Sequence, residues 1–212
     1  MNRLTQSSLY TILASLFVGC LLISNIIAFK LVDVWGLTLP AAVIIFPVVY
    51  IVNDILAEIY GFQKARQVIF LGFAINLLAV IAYNIAILLK APVWFGGDAA
   101  FTIVLSSSFR LLIASFIAYL IGTTLNSYVM VKMRKDKPAG SKGLFFRAIA
   151  STGVGEFTDA LIFITIAFIG TMPINALLTM ILAQAIFKTV YEIVVFPATK
   201  VIINKVSLLP NI

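Results

Sequence analysis

Residues 147–169 read RAIASTGVGEFTDALIFITIAFI, a run without proline that carries two carboxylates, Glu156 and Asp159, near its middle. A helix of that length, rising about 1.5 Å per residue, crosses the roughly 30 Å of hydrocarbon in a bilayer. Its second half, from Ala160 to Ile169, holds no charge at all. A transmembrane barrel would instead need segments of about 10 residues in strict alternation, a pattern absent from this stretch. The run reads as a membrane-spanning helix with a polar stripe on one face.

Working outward, the same criterion selects Ser8 to Phe29, Pro40 to Tyr60, Gln67 to Leu89, Phe109 to Val131 and Ala176 to Thr199, which with Arg147 to Ile169 make six spans. The remaining connections and tails are too short for an extramembrane domain. Residues 1–212 are therefore expected to form a single all-α, polytopic six-transmembrane-helix bundle. Composition agrees, since 62% of the chain is apolar and 11% charged, against roughly 45–50% apolar in soluble domains. So few charges could not cover a soluble surface. With no His and a lone Cys20, most zinc, haem and iron–sulfur sites, His-based triads and any internal disulfide are excluded. No cofactor is expected.

The net charge of +7 would suggest nucleic acid in a soluble protein, but its distribution points to lipid. Arg3, Lys64, Arg66, Lys132, Arg134, Lys135, Lys137, Lys142, Arg147, Lys200 and Lys205 fall on one side of a six-span chain, whereas only Lys30 and Lys90 lie in the opposite loops. By the positive-inside rule both termini are cytoplasmic. The basic stretch from Lys132 to Lys142 is a solvated, lipid-facing loop rather than a nucleic-acid site.

Val18-Gly19-Cys20 resembles a lipoprotein cleavage box. The apolar run nevertheless continues through Phe29, where a lipoprotein would turn polar, so Cys20 is read as a packing residue. The long connection from Lys90 to Ser108 carries Trp94, Phe95, Gly96, Gly97 and Asp98. Asp98 is expected to cap a short helix through Leu105, with the two aromatics at headgroup level as an interfacial anchor. The alternative is a mobile external lid hinged on the glycines. Ser15 and Gly19 form a small-xxx-small pair suited to close helix packing.

Seven ionisable residues lie within the spans: Asp54, Glu58, Arg110, Glu156, Asp159, Lys188 and Glu192. Each costs about 2.5–3.5 kcal/mol at a helix centre on an insertion scale. They must pair with one another, face water or await a ligand. Glu156, Asp159 and Lys188 share the expected midplane. Asp54 and Glu192 sit about four residues, or roughly 6 Å, toward the cytoplasm. Glu58 lies further still and is expected to pair with Lys64 or Arg66.

Spacing makes these residues converge. Phe46, Tyr50, Asp54 and Glu58 recur at i+4; Thr152, Glu156, Asp159 and Phe163 follow at 4, 3 and 4; Gln184, Lys188 and Glu192 recur at i+4. Such spacing places each set on one helix face. An aromatic stripe alone would be ordinary packing. Beside five carboxylates it describes a polar, partly aromatic pocket near mid-membrane, where solutes are bound in transporters. Asn25, Asn76 and Asn84 either line it or hydrogen-bond between helices.

The segment Asn53-Asp54-Ile55-Leu56-Ala57-Glu58-Ile59-Tyr60-Gly61, followed by Ala65-Arg66, resembles the second-span signature of the queuosine precursor transporters, also classed as vitamin uptake transporters. Ser24-Asn25, Ala150-Ser151-Thr152 running into Gly155-Glu156-Phe157-Thr158-Asp159, and Phe187-Lys188 match the same family. The resemblance covers nearly the whole chain. It implies a six-helix protein of the bacterial inner membrane that imports 7-deazaguanine bases, similar in fold to the substrate-binding subunits of energy-coupling-factor vitamin transporters.

A 7-deazaguanine is flat and apolar on its faces, so Phe46, Tyr50, Phe157 or Phe163 could stack on it. Its edge donates from N1 and the amino group and accepts at O6, which suits Asp159 or Glu156 beside Lys188 and Gln184. Asn25, Asn53, Asp54 and Glu192 complete the expected binding set. With one ammonium for two carboxylates, one acid should carry a proton or accept hydrogen bonds from the ligand. The expected partners are a small-molecule base and the bilayer, and a homodimer is compatible with a bundle of six. An intramembrane enzyme is the competing class, but no motif supplies a nucleophile or metal. A binding subunit that needs a separate ATPase module is the other alternative, kept open by the resemblance.

Overall fold

The computed structural model describes residues 6–134 and 144–206. Arg3, Lys135, Lys137 and Lys142 of the orientation argument lie outside the described residues, as do the side chains of Glu58 and Glu192. Helix α1 spans Gln6–Ile27 and leads into a short hairpin, β1 (Leu31–Val34) and β2 (Leu37–Pro40). After a 3-10 turn at Ala41–Ile44 come α2 (Phe46–Tyr60), α3 (Phe62–Leu88), α4 (Asp98–Leu105), α5 (Ser108–Arg134), α6 (Leu144–Phe168) and α7 (Ile174–Val206). Five stretches among the described residues are helical, long and apolar enough to cross a membrane: Gln6–Ile27, Gln63–Leu88, Asp98–Asn126, Ile149–Phe168 and Ile174–Val195. The chain is a predominantly α-helical, polytopic membrane protein.

The stretch expected as one span from Pro40 to Tyr60 is divided. Its regular helix starts at Phe46, with a proline in the first turn, where the missing N–H costs no intrahelical bond. The 15 residues of α2 reach only about 22 Å, and the 3-10 turn and β2 supply the rest of the path. At the other end Gly61 has φ +83 and ψ 163, a conformation essentially confined to glycine. It breaks the chain between α2 and α3 while its N–H still donates to Ala57 O at 3.1 Å.

The hairpin is a structural addition to an otherwise helical fold. Leu31 pairs with Pro40 and Val34 with Leu37, leaving Trp35 and Gly36 as the two turn residues. Both have positive φ, +53 and +78, as a two-residue type I′ turn requires. The Gly36 N–H donates to Asp33 Oδ1 at 2.8 Å. Leu39 and Val43 pack on Ala183 and Phe187 of α7, which ties the hairpin to the end of the bundle where α1 finishes and α7 begins. Helix α4 forms as expected, yet Gly97 is its N-cap, with no side-chain cap hydrogen bond; Asp98 sits in the first turn. Trp94 and Phe95 are exposed.

Two apolar clusters flank the centre. One joins α1, α2, α3 and α5 through Phe17, Leu21, Val49, Leu56, Val68, Phe73 and Tyr119. The other joins α5, α6 and α7 through Ala114, Ala118, Phe163, Ile164, Met180 and Ile181. On α1 the close approach lies away from Ser15 and Gly19: a Cβ on Gly19 would meet nothing within 4 Å, whereas one on Gly72 of α3 would meet the Phe17 ring at 2.9 Å.

The tightest crossing is between α5 and α6, which pack more extensively than any other pair. A Cβ on Gly155 would stand 2.8 Å from Asn126 Cβ and 3.0 Å from Gly122 O, and one on Gly122 would stand 3.0 Å from Asp159 Cβ. The crossing thus fixes the position of the helix turn that carries both buried acids. Gly155→Leu is expected to push α6 off α5, destabilise the bundle by about 1–3 kcal/mol as overpacking does, and shift both acids. Thermal unfolding in detergent measures it, and an unchanged Tm would show that the crossing tolerates a side chain.

Candidate functional site

Lys188 is the centre of the site. It is 4% exposed, well inside α7, and it donates to Asp159 Oδ2 while its Nζ lies 3.2 Å from Glu156 Oε2. The two acids stand three residues apart on α6, hence on one face, and both are buried, at 3% and 5% exposure. Two rings of α2 complete the cage. The Lys188 Nζ sits 4.7 Å from the centroid of Phe46 and 5.0 Å from that of Tyr50, within cation–π range. An ammonium so placed exchanges water for two carboxylates and two ring faces, and pairing of this kind is one of the ways in which a lysine within a span is tolerated.

Two cavities meet at this lysine. The first is bounded by Asp159, Phe163, Gln184, Lys188 and Phe46, with Ser24, Asn25 and Ala28 from α1 and Ala42 and Val43 from the 3-10 turn. It lies on the hairpin side of Lys188. Its lining combines ring faces with a carboxylate, an ammonium and two amides. Asn25 is held by its donation to Asn76 Oδ1 on α3 at 2.9 Å. The Gln184 Oε1, by contrast, is buried without a hydrogen-bond partner among the described residues. The second cavity is lined by Pro47, Tyr50, Ile51, Glu156, Lys188 and Tyr191.

The structure thus brings Asn25, Phe46, Asp159, Phe163, Gln184 and Lys188 to one cavity and Tyr50, Glu156 and Lys188 to its neighbour. It does not bring Asp54 to either: that residue is exposed and is not among the residues that line them. Asn53 is half-buried and lines neither, although its Oδ1 is enclosed without a partner among the described residues. Glu192 lies on α7, its side chain outside the described residues. Phe157 is 43% exposed and lines neither cavity. Arg110 proves to be an end cap. Its Nε and Nη2 donate to Ile166 O and Ile169 O at 2.6 Å each, satisfying carbonyls left open where α6 ends. Asn84 bonds within its own helix, to Val80 O at 2.8 Å.

Several site residues escaped the sequence reading. Ala28, Ala42 and Val43 are small and apolar, and nothing in their spacing marks them as a cavity wall. Tyr191 follows Lys188 by three residues and shares its face, a signal that was available. Tyr119 of α5 is fully buried and holds the Tyr50 ring from behind, with centroids 5.3 Å apart. A tyrosine in mid-span, amid Ser115 and Thr123, could have been noticed.

Fold and site define a multi-pass helical membrane protein with a caged charge cluster and cavities at its core, the class to which solute transporters belong. Comparison with known proteins narrows the class. Residues 40–202 match the family model of the vitamin uptake transporters. The chain is 25% identical over 174 residues to the "Probable queuosine precursor transporter" of Bacillus subtilis (strain 168), covering 82% of this chain and 76% of that one. It is 31% identical over 173 residues to the "Queuosine precursor transporter" of Escherichia coli (strain K12), covering 79% and 74%. No solved structure matches it. The chain belongs to the vitamin uptake transporter family and is a multi-pass protein of the bacterial inner membrane.

Proposed function

We propose that this protein imports queuosine precursors, 7-cyano-7-deazaguanine, 7-aminomethyl-7-deazaguanine or a related 7-deazaguanine base, and that the base binds in the first cavity. One observation carries the reading: a buried carboxylate, an ammonium and an unpartnered amide oxygen converge with two aromatic rings on one empty space. The base edge donates two parallel hydrogens, which Asp159 accepts; O6 takes a hydrogen bond from Lys188. Phe46 and Phe163 cover the faces. The names carried by the Bacillus subtilis and Escherichia coli relatives support the substrate class. Both termini lie in the cytoplasm on this reading, so the hairpin end and the first cavity face outward and the basic ends of the helices face anionic lipid.

The test is uptake of a labelled 7-deazaguanine by proteoliposomes that contain this chain alone. Accumulation or equilibration of the base supports an importer and rejects an obligatory ATPase module. Binding without uptake, converted to uptake by an added ATPase module, establishes the chain as a binding subunit instead. Chemical turnover of the base would place it among enzymes.

A further inference from the structure

The second cavity repeats the chemistry of the first one helical turn away. On α2 Phe46 is replaced by Tyr50, on α6 Asp159 by Glu156, and on α7 the same Lys188 serves both, with Gln184 on one side and Tyr191 on the other. Each space is thus bounded by a buried carboxylate, the shared ammonium and the ring of an aromatic residue. The repeat follows from the i, i+3 and i+4 spacing of three helices that run through the same layer, where one turn is a step of about 5.4 Å. Lys188 lines both spaces. Its Nζ lies against the ring of Phe46, which lines the first, and that of Tyr50, which lines the second; the two ring centroids are 5.4 Å apart.

We propose that the space lined by Tyr50, Ile51, Glu156, Lys188 and Tyr191 is a second binding station for the transported planar base, and that Lys188 is the movable partition between the stations. The proposal rests on the reading of this protein as a 7-deazaguanine importer. Asp159 and Glu156 both hold the ammonium. A base whose donors engage Asp159 competes with the lysine for that carboxylate and leaves it to Glu156; a base engaging Glu156 returns it to Asp159. Lys188 therefore changes acids without ever losing a counter-charge, and no charged group is exposed to lipid as the base passes.

The proposal separates binding from passage. Ile51→Trp fills the second station without touching the first, and Tyr191→Leu removes its ring wall from a half-buried position. Calorimetry with 7-cyano-7-deazaguanine on the purified chain and proteoliposome uptake of the same probe are measured for both. Affinity is expected to stay within about threefold of the parent while uptake falls more than about tenfold. Uptake at the parent rate in both variants overturns the second station, because the space would then be a packing gap. Parallel loss of affinity and uptake in Tyr191→Leu, with a parent-like Tm, also overturns it by making the two spaces one site. A parent chain that neither binds nor carries the probe rejects the functional reading itself, a result distinct from both.

Discussion

Lys188→Met is expected to abolish base uptake and to destabilise the bundle by about 3–5 kcal/mol, the range for removing one partner of a buried ion pair. The reason is the imbalance left behind. Asp159 and Glu156 are both buried on one face of α6, and without the ammonium they confront each other and the faces of Phe46 and Tyr50, which repel anions. Lys90→Met, at an exposed position between α3 and α4, serves as the control and should change neither property. A triple variant, Lys188→Met with Asp159→Asn and Glu156→Gln, separates folding from function. It removes the uncompensated charge, so much of the stability should return while binding stays lost. Thermal unfolding in detergent and calorimetry read the two effects. Parent-like stability of Lys188→Met alone would show that the cluster is open to water.

Asp159→Asn should weaken 7-deazaguanine binding by about ten- to a hundredfold, the equivalent of about 1–3 kcal/mol for donors left short of an acceptor in a dry site. A carboxylate takes two parallel N–H donors with its two oxygens, whereas an amide offers only one acceptor and opposes one ligand donor with its own NH2. Adenine lacks that pair of adjacent donors, so its weak binding should be little affected. Glu156→Gln is expected to have the smaller effect on affinity, because Glu156 lines the second cavity and Asp159 the first. Calorimetry on the two variants measures the ratio. Normal binding by both would move the recognition edge elsewhere, with Asn53 the next candidate.

The acids and the lysine were legible because lipid makes charge conspicuous. At a cost of about 2.5–3.5 kcal/mol each at a helix centre, Glu156, Asp159 and Lys188 had to share a site, and helical spacing placed them on facing stripes. Asp54 shows where spacing and tertiary placement part. Its i+4 spacing from Tyr50 is real, yet α2 is only 15 residues long, and Asp54 is exposed rather than set at the cavities. Arg110 was misjudged for a related reason. A charge counted inside a span turned out to cap the end of a neighbouring helix, and no pattern within its own helix reveals where the carbonyls of α6 stop.

The sequence by itself determined the solvent, the helical class and the chemistry at the centre, because hydrophobic runs and buried charge are properties of short stretches of chain. The resemblance carried by its second-span segment and by Glu156 to Asp159 also pointed to the family that residues 40–202 match. Only the tertiary structure decided how space is divided around Lys188. That division depends on distances between α2, α6 and α7, which follow from the glycine crossing of α5 on α6 and from the hairpin wedged on α7. The hairpin was hidden in a connection because its strands have four residues each and its Trp35-Gly36 turn lacks the usual asparagine or aspartate signal. Ala42 and Val43 became a cavity wall for the same reason: empty space belongs to no residue, and small apolar side chains mark it only once every neighbouring helix has been placed.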